Sequence, residues 1–207
     1  MSRTFNIETK PYDFKLYLRR QITINKGLTV LTGCNGAGKS TLLNMVEQRL
    51  DESNIPVYHF DNYHDGGAKA ASTALFYGNT SLAAGLFMSS EGERIAQNLN
   101  QVSYNIGNFI RSHQDASEVW ILMDAVDSGY SIDNIEELKQ ELFSAILEDC
   151  RHRNINIYIV VSTNSYEMAS GEQCLDIWTG NYRTFKNYED YKCYIKQSRD
   201  RKNKRYK

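Results

Sequence analysis

One short run constrains the chain more than any other. Residues 33–41 read GCNGAGKST, which fits G-x-x-x-x-G-K-S in full. A short apolar run, LTVLTG (28–33), precedes it, and GKSTLLNMVEQRL (38–50) follows with Leu42, Leu43, Val46 and Leu50 at helical spacing. A glycine-rich turn between a strand and a helix is the setting in which backbone amides wrap a phosphate and the helix N-terminus adds partial positive charge. The pattern assigns Gly33, Cys34, Asn35, Gly36, Ala37, Gly38, Lys39, Ser40 and Thr41 to a phosphate cradle. Lys39 would reach the terminal phosphates, and Ser40 would take a magnesium ion.

The rest of the chain alternates strand and helix signals. IPVYHFD (55–61), EVWILMD (118–124) and INIYIVVST (155–163) are apolar runs of the kind buried on both faces of a parallel sheet. The segment 132–150 is an amphipathic helix with Ile135, Leu138, Leu142, Ile146 and Leu147 on one face. Before the glycine loop, FNIET, FKLYL and ITI alternate as an antiparallel β portion. CLDIWTGNYRTF resembles a hairpin turning at Gly180-Asn181, followed by a basic helix from about Asn187. The expected fold is α/β, a mostly parallel central sheet flanked by helices, with binding groups at the carboxyl ends of the strands.

With 207 residues and only two prolines, Pro11 and Pro56, one domain over 1–190 is the expectation, followed by a basic tail over 191–207. Residues 192–207 carry eight Lys/Arg and one Asp, a charge of +7 against −8 for the remainder. Such a segment is either a contact for nucleic acid or another anionic partner, or a solvated terminus. No run approaches the roughly 18 apolar residues of a membrane span, so a cytoplasmic location and no membrane contact are expected. Cys34, Cys150, Cys174 and Cys193 show no paired metal-ligand spacing and read as free thiols.

Asp124 ends the strand 118–124 and is the expected second partner of the magnesium. Taken together, TGCNGAGKSTLL, MSSEGER (88–94) and ILMDAVDSGYS resemble, in order, the Walker A, signature and Walker B/D-loop segments of ABC-type P-loop ATPases. The nearest likeness is to the soluble chromosome-maintenance and DNA-repair branch and to small bacterial or phage ATPases. That resemblance implies ATP and Mg2+ as ligands and a homodimer closed over nucleotide by Ser90, Gly92 and Glu93; the segment between Lys39 and Ser90 departs from it, being much shorter than in transport cassettes and leaving room only for a reduced helical subdomain. Ser90-x-x-Glu93 is also a capping box that would simply start a helix.

Several positions depart from the family pattern. Ala125 stands where the resemblance implies the glutamate that polarises water, and Asn164 where it implies a histidine facing the γ-phosphate. Asp127 is the substitute base, with a surface-turn role as its rival. Asp61 and Asn62 stand where a metal-sensing glutamine is expected. Tyr12 is the best placed of Tyr12, Phe14 and Tyr17 for stacking on adenine.

Three functions follow. The first is an ATP/Mg-dependent dimerisation or partner-binding switch that hydrolyses slowly. The second is a small-molecule P-loop kinase with Asp61 as base. The third is a nucleotide-bound structural subunit that touches nucleic acid through its basic tail.

Overall fold

The computed structural model describes residues 2–7, 16–62, 91–128 and 130–205; side chains are described throughout these except at 91–99 and 205. Eight strands and six α-helices follow in chain order among them. Strands β1 (Ser2–Asn6) and β2 (Gln21–Asn25) pair antiparallel. Strand β3 (Gly27–Thr32) leads into α1 (Lys39–Glu52), then β4 (Val57–Asp61), α2 (Glu91–Ser112) and β5 (Glu118–Asp124). Next come α3 (Ile132–Glu137), a π-helical turn (Leu138–Phe143), α4 (Ser144–His152) and β6 (Asn156–Ser162). Helix α5 (Tyr166–Ala169), strands β7 (Cys174–Asp176) and β8 (Asn181–Arg183), and helix α6 (Tyr188–Arg205) complete the set.

The main sheet has the order β4-β5-β6-β3-β7-β8, parallel throughout except for the β7–β8 pair. Side chains on successive strand residues point to opposite faces, so an apolar strand supplies two cores at once. Leu31, Trp120, Leu122, Tyr158 and Val160 face α1 and the β1–β2 ribbon. Val30, Ile121, Met123, Ile159 and Val161 face the opposite layer, with α2, α3, α4 and α6. Trp120 is fully buried and stacks on Tyr158 with ring centroids 4.2 Å apart, while Phe5 of β1 meets it edge-on. That contact fastens the small ribbon to the main sheet.

The apolar face expected for α1 is the one buried: Leu42, Leu43, Val46 and Leu50. Two expectations change. The helix foreseen over 132–150 contains a π turn, whose wider i→i+5 spacing carries the buried face from Leu138 to Phe143, leaving Leu142 only partly buried. Of FKLYL, residues 14–15 lie outside the described set and Leu16–Leu18 form no strand. Tyr17 instead turns inward, and the Leu18 N–H donates to the Trp178 carbonyl. The helical subdomain expected between Lys39 and Ser90 falls on residues 63–90, outside the described residues.

Helix α6 begins one residue after the expected start and runs as regular helix through Arg205, with Tyr191, Tyr194 and Ser198 buried. A solvated terminus does not describe these residues, because the buried stripe at three- and four-residue spacing fixes one face of the helix to the sheet. Among the described residues no helix is long and apolar enough to cross a membrane, and no group of His, Cys, Asp and Glu has the arrangement of a metal cluster. Cys34, Cys150, Cys174 and Cys193 are all free thiols.

Candidate functional site

The loop between β3 and α1 owes its shape to backbone freedom. Gly36 and Gly38 hold φ of +74° and +108°, where a β-carbon is strained. A β-carbon on Gly38 would also stand 3.2 Å from the Tyr17 hydroxyl. That hydroxyl donates to the Gly38 carbonyl at 2.8 Å. Tyr17, one of three aromatic candidates for adenine, is therefore a buttress under the loop. Tyr12 and Phe14 lie outside the described residues.

Helix α1 starts without a side-chain cap, so the amides of its first turn keep the unpaired donors that every helix N-terminus presents. Lys39, at the first helical position, is 8% exposed. Its ammonium donates to the Gly33 carbonyl at 2.9 Å, to the Cys34 carbonyl at 3.5 Å and to Asn164 Oδ1 at 2.8 Å. Burial pulls the Lys39 pKa below the usual lysine value, and the nearby carboxylates of Asp127 and Asp124 pull it back up.

Sheet order assembles the rest. Strand β6 lies between β3 and β5, so the residues that follow β6 emerge between the glycine loop and Asp124. This is why Asn164 touches Lys39 across 125 residues of chain. Ser162, at the end of β6, donates to Asp124 Oδ1 and accepts the Ala125 N–H at 2.8 Å. Asp127 Oδ2 accepts the Asn164 N–H at 3.0 Å, whereas Oδ1 is buried without a hydrogen-bond partner among the described residues.

The cleft at this junction has a volume of about 430 Å³ and is lined by Asn35, Gly36, Gly38, Lys39, Ser40, Thr41, Asp124, Ala125, Ser162, Asn164 and Leu16. Four separate segments, Leu16, 35–41, 124–125 and 162–164, thus share one opening. Ser90 is outside the described residues, and Gly92 and Glu93 are described only as backbone of the first turn of α2.

Sequence reading missed Ser162 and the latch made by Asn62. The Asn62 amide donates to the carbonyls of Ala125 (3.1 Å) and Ser128 (2.7 Å), tying the end of β4 to the turn after Asp124. An amide serving two carbonyls holds a loop; that accounts for its burial at 9% exposure. Asp61 sits at the end of β4, three strands from β3, and is not among the residues lining the cleft.

Ala125 adopts φ +50°. An L-residue with a β-carbon carries about 1–2 kcal/mol of strain there, so Ala125→Gly is expected to raise stability by up to about 1 kcal/mol once the extra chain entropy of glycine is deducted. Urea denaturation measures this; a fall in the midpoint at constant slope would contradict it.

Residues 22–167 match the model of the AAA domain, a P-loop NTPase family. The chain belongs to that family. Membership in the AAA domain family implies P-loop nucleotide binding and ATPase chemistry, for which ATP with Mg2+ is the usual ligand pair. No curated protein matches the chain at significance. The matched span includes the glycine loop, Asp124 and Asn164, and ends within α5. Helix α6 lies beyond it.

Proposed function

We propose that the chain is an ABC-type ATP-binding protein in which ATP and Mg2+ act as a switch for dimerisation or partner binding, with hydrolysis slow or conditional. The observation that carries this reading is the meeting of Lys39, Asp124 and Asn164 around one cleft. The residues fit the ligand pair. Uncapped amides and a buried ammonium form an anion cradle, and Ser40 and Asp124 offer a hydroxyl and a carboxylate on its wall. Ser40 and Asp124 would hold magnesium, which neutralises phosphate charge when bound. The amides of Gly33 to Thr41 and the Lys39 ammonium would grip the phosphate chain.

The chain's own residues explain why turnover would be slow. Ala125 brings a methyl group to the cleft, and a methyl group neither accepts a proton nor orients water. Asn164 offers an amide that is already engaged with Lys39. Asp127, the substitute base of the sequence reading, does not border the cleft, and its Oδ2 accepts the Asn164 N–H, so it holds the loop after β6 and leaves the site without a base. On the resemblance to ABC-type ATPases, Ser90, together with Gly92 and Glu93 of α2, would close against nucleotide held by a second copy. The kinase alternative is weaker, since Asp61, its required base, does not border the cleft.

Ligand binding confined to the folded state raises apparent stability by about 2.7 kcal/mol at a hundred times Kd. For a domain of this size that is roughly a 5–10 °C rise in Tm. Mg-ATP is expected to produce such a shift in thermal melts, together with a doubled mass in light scattering. An unchanged Tm at millimolar Mg-ATP would remove the nucleotide reading; a shift without a mass change would leave partner binding as the output.

A further inference from the structure

Helix α6 forms a wall of the phosphate loop. Along one stripe at four-residue intervals, Tyr194, Ser198 and Lys202 engage the backbone of Thr32, Cys34 and Asn35 in the same order. The Tyr194 hydroxyl donates to the Thr32 carbonyl at 2.9 Å. The Cys34 N–H donates to Ser198 Oγ at 3.0 Å, and the Lys202 ammonium donates to the Asn35 carbonyl at 3.0 Å. Arg201 adds a 3.4 Å contact to Asp176 at the end of β7. Tyr194 and Ser198 are buried, so the upper part of the helix is fixed to the loop.

Lys202 differs from the other two. It is half-buried, it is bonded to a neutral carbonyl, and among the described residues it forms no ion pair. Its Cδ and Nζ stand 3.5 Å from where a β-carbon on Gly36 would be, and Gly36 and Asn35 both line the cleft. The cleft itself is short of positive charge: among the described residues that line it, Lys39 is the one cation and it shares the wall with the carboxylate of Asp124. A phosphate chain entering there brings several more negative charges, which a further cation at the rim would offset.

We propose that Lys202 is a second cationic ligand of the phosphate chain, delivered in cis by the C-terminal helix. The inference rests on the P-loop reading above. On nucleotide binding the ammonium exchanges the neutral Asn35 carbonyl for a phosphate oxygen, a charge-assisted bond roughly twice as strong. The flexible four-carbon stem of lysine permits the exchange while Tyr194 and Ser198 keep the helix docked.

The test is equilibrium titration of the full chain with Mg-ATP, and with inorganic tripolyphosphate as a probe that has phosphates but no base or sugar. Lys202→Met is expected to weaken both about tenfold, with the apo Tm unchanged and the deficit shrinking as salt is raised. Lys202→Arg keeps the charge and recovers most of the affinity. Lys204→Met, an equal charge loss on an exposed position of the same helix, leaves affinity unchanged. Equal affinities of wild type and Lys202→Met would overturn the assignment, as would the same loss in Lys204→Met, or a loss confined to ATP and absent for tripolyphosphate. Failure of the wild type to bind either probe would instead bring down the nucleotide reading itself.

Discussion

Replacing Lys39 by alanine is expected to weaken Mg-ATP binding by roughly 10²- to 10³-fold, because truncating one member of a buried, hydrogen-bonded charge pair typically costs about 2–5 kcal/mol. Lys39 is 8% exposed, and its ammonium is directed by the Gly33 carbonyl and Asn164. Alanine is favourable at a helical position, and helix α1 is held by Leu42, Leu43, Val46 and Leu50; the fold should therefore survive. Titration calorimetry of the variant, with its far-UV spectrum and apo melt as controls, measures the effect. A correctly folded Lys39→Ala that bound Mg-ATP like the wild type would show that the glycine loop is not the phosphate site.

The second large effect runs the other way. Ala125→Glu is expected to raise ATP turnover by about 10²- to 10⁴-fold, the range contributed by a positioned general base. Position 125 lines the cleft, and its backbone already carries a β-carbon at φ +50°, so glutamate adds no new backbone strain. The Ala125 N–H and carbonyl are held by Ser162 and Asn62, which fixes the origin of the new side chain. Steady-state phosphate release, with Mg-ATP affinity measured in parallel, reads the result. Unchanged turnover at intact affinity would place the slow step elsewhere and end the missing-base account; a wild type already turning over at the variant's rate would do the same.

These two positions also mark how much could be read from residues in order. Lys39 was legible because the phosphate loop is local: nine consecutive residues, between an apolar run and an amphipathic run, carry the whole device. The buried faces of β5, β6 and α1 were legible for a related reason, since periods of 2 and 3.6 express burial directly in sequence. The π turn was not, because one extra residue in a turn changes the register without changing the composition of the segment. Asn62 pointed to a metal-sensing role from its position after β4, and its amide instead holds the backbone of Ala125 and Ser128. Ser162 lay inside an apolar strand and offered no pattern at all.

The basic C-terminal segment shows the division most clearly. Its charge suggested a terminus for anionic partners, while its Tyr191, Tyr194 and Ser198 spacing is what packs it into the domain. The chain's order of residues determined that there would be a phosphate loop, two-faced parallel strands and an aspartate at the end of β5, since each depends on neighbours a few residues apart. Only the tertiary structure decided that β6 lies between β3 and β5, that Asn164 meets Lys39, and that Ser198 and Lys202 reach the loop from more than 160 residues away. Hydrogen bonds of that range follow from strand order and helix docking, and a polar side chain's spacing says nothing about which distant backbone group it will meet.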